Sequence, residues 1–214
     1  MAYLPTMKLC CLSDEIVYFC IMKSTKSLIV TVLVLVVVAA LYRIIPNRPL
    51  GFAPQIALAL FGGAVIKDKK WAFALPLFSL FLSDLLFQAL FALHLSVQQG
   101  FYEGQLAGYI VLAGITLLGF TLKHITVLRV GAYSLLAPAL YFVLSNGAYW
   151  LGGGFDIRTS LPLDKSFAGL MQSFTQGLPF LRGSVIATVA FSALLFGGYY
   201  LFTVNAHKPK TVQA

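Results

Sequence analysis

The chain has 214 residues, 59% of them hydrophobic and only 10% charged, with a mean hydropathy of +0.88. Soluble domains carry roughly 25% charged residues, so this composition argues against an ordinary soluble enzyme or binding domain and predicts an all-α integral membrane protein of one domain. The net charge of +8 is no nucleic-acid footprint, because the basic residues are scattered over short polar stretches and no recognition motif accompanies them.

Residues 1–21 hold all three cysteines (Cys10, Cys11, Cys20) and two adjacent acids, Asp14 and Glu15, without a sustained period. They read as an N-terminal extension, with Met22 a candidate start or with the stretch an amphipathic tail. The cysteines lack the Cys/His spacing of a zinc site. From Met22 to His207 the chain reads as one transmembrane domain, followed by a short tail over residues 208–214.

Six apolar segments lie within it, at residues 27–45, 52–66, 71–93, 105–122, 131–151 and 183–204. A helix needs roughly 20 residues to cross about 30 Å of hydrocarbon. Five segments approach or exceed that length. The second is shorter, but its small residues Ala53, Ala57, Ala59 and Gly63 favour close helix contact and place it as a buried helix. With the N-terminus inside, Lys8, Lys23, Lys26, Lys67, Lys69, Lys70, Lys123, Arg129, Lys208 and Lys210 fall on the inner side. Arg43, Arg48, Arg158, Lys165 and Arg182 fall outside. That bias follows the positive-inside rule and predicts a multi-pass protein of the cell inner membrane with six spans and both termini cytoplasmic.

The third segment carries Asp84 in an otherwise apolar run. An ionised carboxylate at membrane depth costs roughly 2.5 to 3.5 kcal/mol and faces a bundle interior or cavity. In this topology Arg43, Gln55, Asp84, Gln88, Asn146, Tyr149 and Trp150 all lie in the outer half. Asp84 and Gln88 are four residues apart, and Asn146 with Tyr149 and Trp150 covers i, i+3 and i+4. One reading arranges these stripes around a solute pocket that opens outward. The other pairs Asp84 with Arg43 and lets Asn146 bond a neighbouring helix. His94 reads as a solvated helix cap. The connection over residues 152–182 begins with three glycines, and residues 166–178 read as a short helix with Phe167, Leu170, Met171 and Phe174 on its apolar face, either a lid or an interfacial helix that shields the bundle rim.

The stretch Arg-Ile-Ile-Pro-Asn-Arg-Pro-Leu-Gly-Phe-Ala-Pro from Arg43 to Pro54, the run from Ala57 to Ala64, Leu75-Pro76 followed by Leu82-Ser83-Asp84, and Ser145-Asn146 with Trp150 resemble a bacterial family of uncharacterised six-helix membrane proteins, a domain-of-unknown-function group. That family is itself similar to the substrate-binding S components of energy-coupling factor transporters. The resemblance implies an S-component-like six-helix bundle that binds a vitamin-like molecule, a precursor or a metal ion near the extracytoplasmic face. It adds Asn47 to the candidate ligand residues. It also implies a transmembrane coupling protein with ATPase subunits as a partner, beside the lipid bilayer and the solute. The first span departs from the small-residue motif common in S components: only Ala39 and Ala40, in its last turns, are small.

No catalytic residue, cofactor or resident metal is expected. The chain has no phosphate-binding Gly-Lys-Ser/Thr loop, no paired Glu/His motif and no Gly-x-Ser-x-Gly, and His94, His124 and His207 lie in unrelated segments. The function classes left are a solute-binding subunit for uptake, a stand-alone secondary carrier, and a structural or assembly protein without a pocket.

Overall fold

A computed structural model of the chain describes residues 25–206, with side chains over 29–201. The N-terminal extension and its cysteines, the start at Met22, His207 and the 208–214 tail lie outside the described residues. Six helices follow in order: α1 (Thr25–Arg43), α2 (Gln55–Val65), α3 (Lys69–Ala92), α4 (Gln105–Phe120), α5 (Val127–Leu151) and α6 (Phe167–Ala206). By length and apolar composition α3, α5 and α6 can cross a membrane, and the others are shorter apolar helices.

Side-chain caps set several helix starts. Asp68 accepts from the Lys70 amide at 2.9 Å, Thr126 from that of Arg129 at 3.4 Å and Ser166 from that of Gly169 at 3.2 Å. At the far end of α3, His94 adopts φ +57°. Its amide bonds the Phe91 carbonyl while that of Leu95 bonds Leu90, a closure that absorbs the last carbonyls of the helix. His94 is exposed there.

The short α2 is the centre of the bundle: every residue from Gln55 to Gly63 is buried, and it packs against α3, α4, α5 and α6. It has no polar face because it has no solvent face. At 1.5 Å per residue, its 11 residues cover about half the hydrocarbon thickness. Glycine and alanine let its neighbours come this close. A β-carbon on Gly119 of α4 would stand 2.7 Å from the Leu60 carbonyl oxygen, and one on Gly62 would stand 2.9 Å from that of Ala72 in α3. On one side of α2, Leu58, Leu60 and Phe61 join Val32, Val36, Leu75 and Phe196. On the other, Ile56 and Ala59 meet Leu112, Ile115 and Ala137.

Residues 44–54 replace the missing upper half of α2. Gly51 has φ +71° and lies against the Phe180 backbone, where a β-carbon would come within 2.9 Å of its carbonyl carbon, so only glycine fits. Ser184 donates to the Gly51 carbonyl at 3.1 Å, and the Phe52 ring packs on Tyr42 and Phe191, which also meet each other at 5.2 Å. This loop is therefore tucked between α1 and α6.

The lid expectation is corrected by α6. Residues 166–178 do not form a separate helix; they open a continuous helix of 40 residues that passes through Pro179. A proline in a helix interior removes one backbone hydrogen bond and kinks the axis, but the surrounding contacts carry the helix past it. The packed face takes only part of the aromatic stripe, with Phe174 against the Phe142 ring. Phe167 and Met171 are exposed, whereas Gly169, Ser173 and Gly177 are buried at four-residue intervals, since a close crossing with α5 and the preceding loop requires small side chains.

Candidate polar site

Asp84 is 1% exposed on the face of α3 toward α1 and α4, and its carboxylate is fully used. One oxygen takes the guanidinium of Arg43, the last residue of α1. The other accepts from the side-chain amide of Gln105 and from the Tyr109 hydroxyl at 2.6 Å, both on α4. Arg43 also donates to Ser83 at 2.6 Å and lies 5.5 Å from the centre of the Phe87 ring, a placement that favours a cation. Three helices thus meet at one carboxylate.

Gln88, one turn beyond Asp84, holds the following loop. Its side-chain oxygen accepts from the amides of Gly100 and Phe101 at 3.2 and 3.4 Å, while Gln105 donates to the Gly100 carbonyl at 3.0 Å. Gly100 rests directly on the α3 backbone at Asp84 and Gln88.

Asn146, Tyr149 and Trp150 form a second group. The Asn146 side chain donates to the Phe142 carbonyl at 2.8 Å and fills the space beside Gly177, and its own carbonyl accepts from Ser173 at 2.9 Å. Tyr149 exchanges hydrogen bonds with the Phe155 backbone. Trp150 donates to the Asp164 carbonyl at 2.8 Å, and Lys165 lies over its ring while bonding the terminal carbonyls of α5. These residues fasten the 152–166 loop and α6 to α5. In that loop Asp156 accepts from the Arg158 amide at 2.9 Å and from Gln176 at 3.1 Å. The Arg158 amide holds the Asp156 carboxyl below the usual carboxylate range.

No hydrogen bond among the described residues joins the Asp84 group to the Asn146 group. The spacing that puts both at one depth does not make them face each other: Asp84 turns to α1 and α4, Asn146 to α6. Asn47 is an exposed turn residue at φ +59°. Gln55 is the exception among the candidates. It is 5% exposed at the first turn of α2, and among the described residues neither its amide nitrogen nor its amide oxygen has a partner.

Gln105 and Tyr109 escaped the sequence reading although they complete the Asp84 site. They were visible as a polar pair four residues apart at the start of an apolar helix. No three His, Cys, Asp or Glu side chains among the described residues gather as a metal-binding group. Residues 23–211 match a family of unknown function, DUF6580; no curated protein and no solved structure matches the chain.

Proposed function

The chain belongs to DUF6580, and from that premise we propose a six-span inner-membrane protein, both termini cytoplasmic, that binds a small organic solute near its extracytoplasmic face for uptake. Membrane placement is supported by the outward-turned apolar side chains Val30, Leu33, Val34 and Val38 of α1, Phe78 of α3 and Leu106 and Ile110 of α4, far more exposed apolar surface than a soluble monomer carries. The orientation rests on the distribution of lysine.

Gln55 carries the solute reading. A buried amide without partners costs about 1 to 3 kcal/mol for each group left unsatisfied, and native proteins retain such a group where water or a ligand completes it. The 44–54 loop, wedged against α6, covers this residue's end of α2. The Arg43–Asp84–Tyr109 cluster then serves as the frame that fixes α1, α3 and α4 around the site, and Gln55 supplies a donor and an acceptor to the solute. The resemblance in sequence brings the S component of an energy-coupling factor transporter, with its coupling protein and ATPases as partners, into this reading, and the order of six helices is compatible with it. The donor and acceptor of a neutral amide suit a vitamin-like molecule or precursor rather than a bare metal ion.

A second reading, a membrane assembly protein without a pocket, draws on the complete internal saturation of Asp84. A thermal-shift screen of the purified protein against vitamins, precursors and nucleobases, run beside Gln55→Leu, separates the two. On the solute reading one compound at 100 times its Kd stabilises by about 2.7 kcal/mol, and Gln55→Leu abolishes that shift. On the assembly reading no compound acts, and Gln55→Leu raises stability because an orphan amide is replaced by an apolar group.

A further inference from the structure

At the opposite end of the bundle the start of α5 and the last turns of α6 diverge and leave a cavity of about 540 Å³, within the range of ligand sites. Val130 and Ser134 line one wall, Val189, Ser192 and Phe196 the other, and Ile125 and Val127 form its mouth. It is an apolar slot with one unmet polar group. Ser192 is 1% exposed and its hydroxyl has no partner among the described residues, whereas Ser134 donates to the Val130 carbonyl at 2.7 Å.

The mouth is positive. Lys123 and Arg129 flank the lining residues in sequence, both are exposed, and neither forms an ion pair with an acid among the described residues. The start of α5 adds the positive end of a 25-residue helix. No Asp or Glu occurs anywhere between Lys123 and Leu151 or between Ser184 and Ala206, so nothing on either wall offsets this charge.

We propose that this groove binds an anionic phospholipid, with one acyl chain between α5 and α6, the phosphate at Lys123 and Arg129, and an ester carbonyl within reach of the Ser192 hydroxyl. Charge selects the occupant: a neutral lipid fills the slot equally well but leaves the two cations without an anion. The inference rests on the membrane placement proposed above and is independent of the solute.

Two glycines make the test clean. A β-carbon on Gly131 or Gly197, both lining the groove, meets nothing within 4 Å, so Gly131→Leu fills the slot without striking the backbone. The full-length protein is reconstituted in nanodiscs of equimolar dioleoyl phosphatidylglycerol and phosphatidylcholine, and the lipids it retains are counted by native mass spectrometry. Each cation near a membrane surface strengthens anionic-lipid binding by roughly fivefold, so phosphatidylglycerol is retained with a preference of about twenty-fivefold. Lys123→Gln with Arg129→Gln, two exposed positions, brings the preference to near unity, and Gly131→Leu removes the retained lipid. Dihexanoyl phosphatidylglycerol and inorganic phosphate, which lack the long chain, give no thermal shift. Equal retention of both lipids, or a preference unchanged in the charge variant, overturns the proposal. So does a wild-type dimer that Gly131→Leu converts to monomer with the same lipid count, which assigns the groove to a second copy of the chain.

Discussion

Removing the Asp84 carboxylate tests whether the cluster is the frame of the bundle. Asp84→Ala leaves Arg43, only 15% exposed at its side chain, with the Ser83 hydroxyl and the Phe87 ring as its remaining partners, and leaves the Tyr109 hydroxyl without an acceptor. Breaking a buried pair from one side costs about 3 to 5 kcal/mol, and the residual exposure of Arg43 places the expectation near the lower figure, about 3 kcal/mol. Arg43→Met costs less, about 2 kcal/mol, because Gln105 and Tyr109 still donate to the carboxylate. Replacing both, Arg43→Met with Asp84→Leu, removes the two charges together and costs about 1 kcal/mol, chiefly through the stranded Tyr109 hydroxyl. Reversible unfolding in mixed micelles, followed by circular dichroism, measures all three. The single costs should exceed the double by about 4 kcal/mol. A double variant as destabilised as its singles combined would show that the pair is not energetically coupled, and the frame argument would fail.

Tyr109→Phe removes one donor to a charged acceptor and should cost about 1.5 to 3 kcal/mol by the same assay, with no further loss when added to Asp84→Ala. Gly63→Ala drives a methyl into the Thr116 carbonyl across the α2–α4 contact and should cost about 1 to 3 kcal/mol. Gly114→Ala, with open space at its β-carbon, should be neutral or stabilise by up to about 1 kcal/mol; equal effects would mean that the close crossing is not limiting. The folded Asp156 carboxyl titrates below its unfolded value, so its contribution to loop order is complete above about pH 4 and is lost as the pH falls through the lower folded value. In a Trp71→Phe background, Trp150 emission should report that acid transition, and Asp156→Asn should abolish it.

The existence of the six helices was legible because apolar length is a local property, though packing extended the last of them back through Pro179 to Phe167. Even the buried position of α2 could be read from a short segment rich in glycine and alanine. What escaped was direction around each helix axis. Depth placed Asp84 and Asn146 at one level, but the azimuth of each is set by its neighbour: an arginine at the end of α1 for Asp84, a glycine on α6 for Asn146. The aromatic stripe of residues 166–178 misled for a related reason. In water a helix buries its apolar face, whereas against a closely packed bundle the buried face is the one small enough to approach. Gly169, Ser173 and Gly177 were that face, and their four-residue spacing was as visible as the aromatic one.

The same logic separates the two kinds of polar residue in this bundle. Asp84, Gln88, Asn146, Tyr149 and Trp150 each end in a named internal partner, and all but Asn146, whose side chain bonds within α5, tie one helix or loop to another. At buried Asp84 such a frame resists movement, because moving a member strands a donor or acceptor away from any partner. Gln55, on the most buried helix, takes part in none of these bonds among the described residues. A packed surround with one unsatisfied amide is the condition under which a ligand gains hydrogen bonds without the protein having to break any, and this makes Gln55 rather than Asp84 the residue at which solute binding should first be sought.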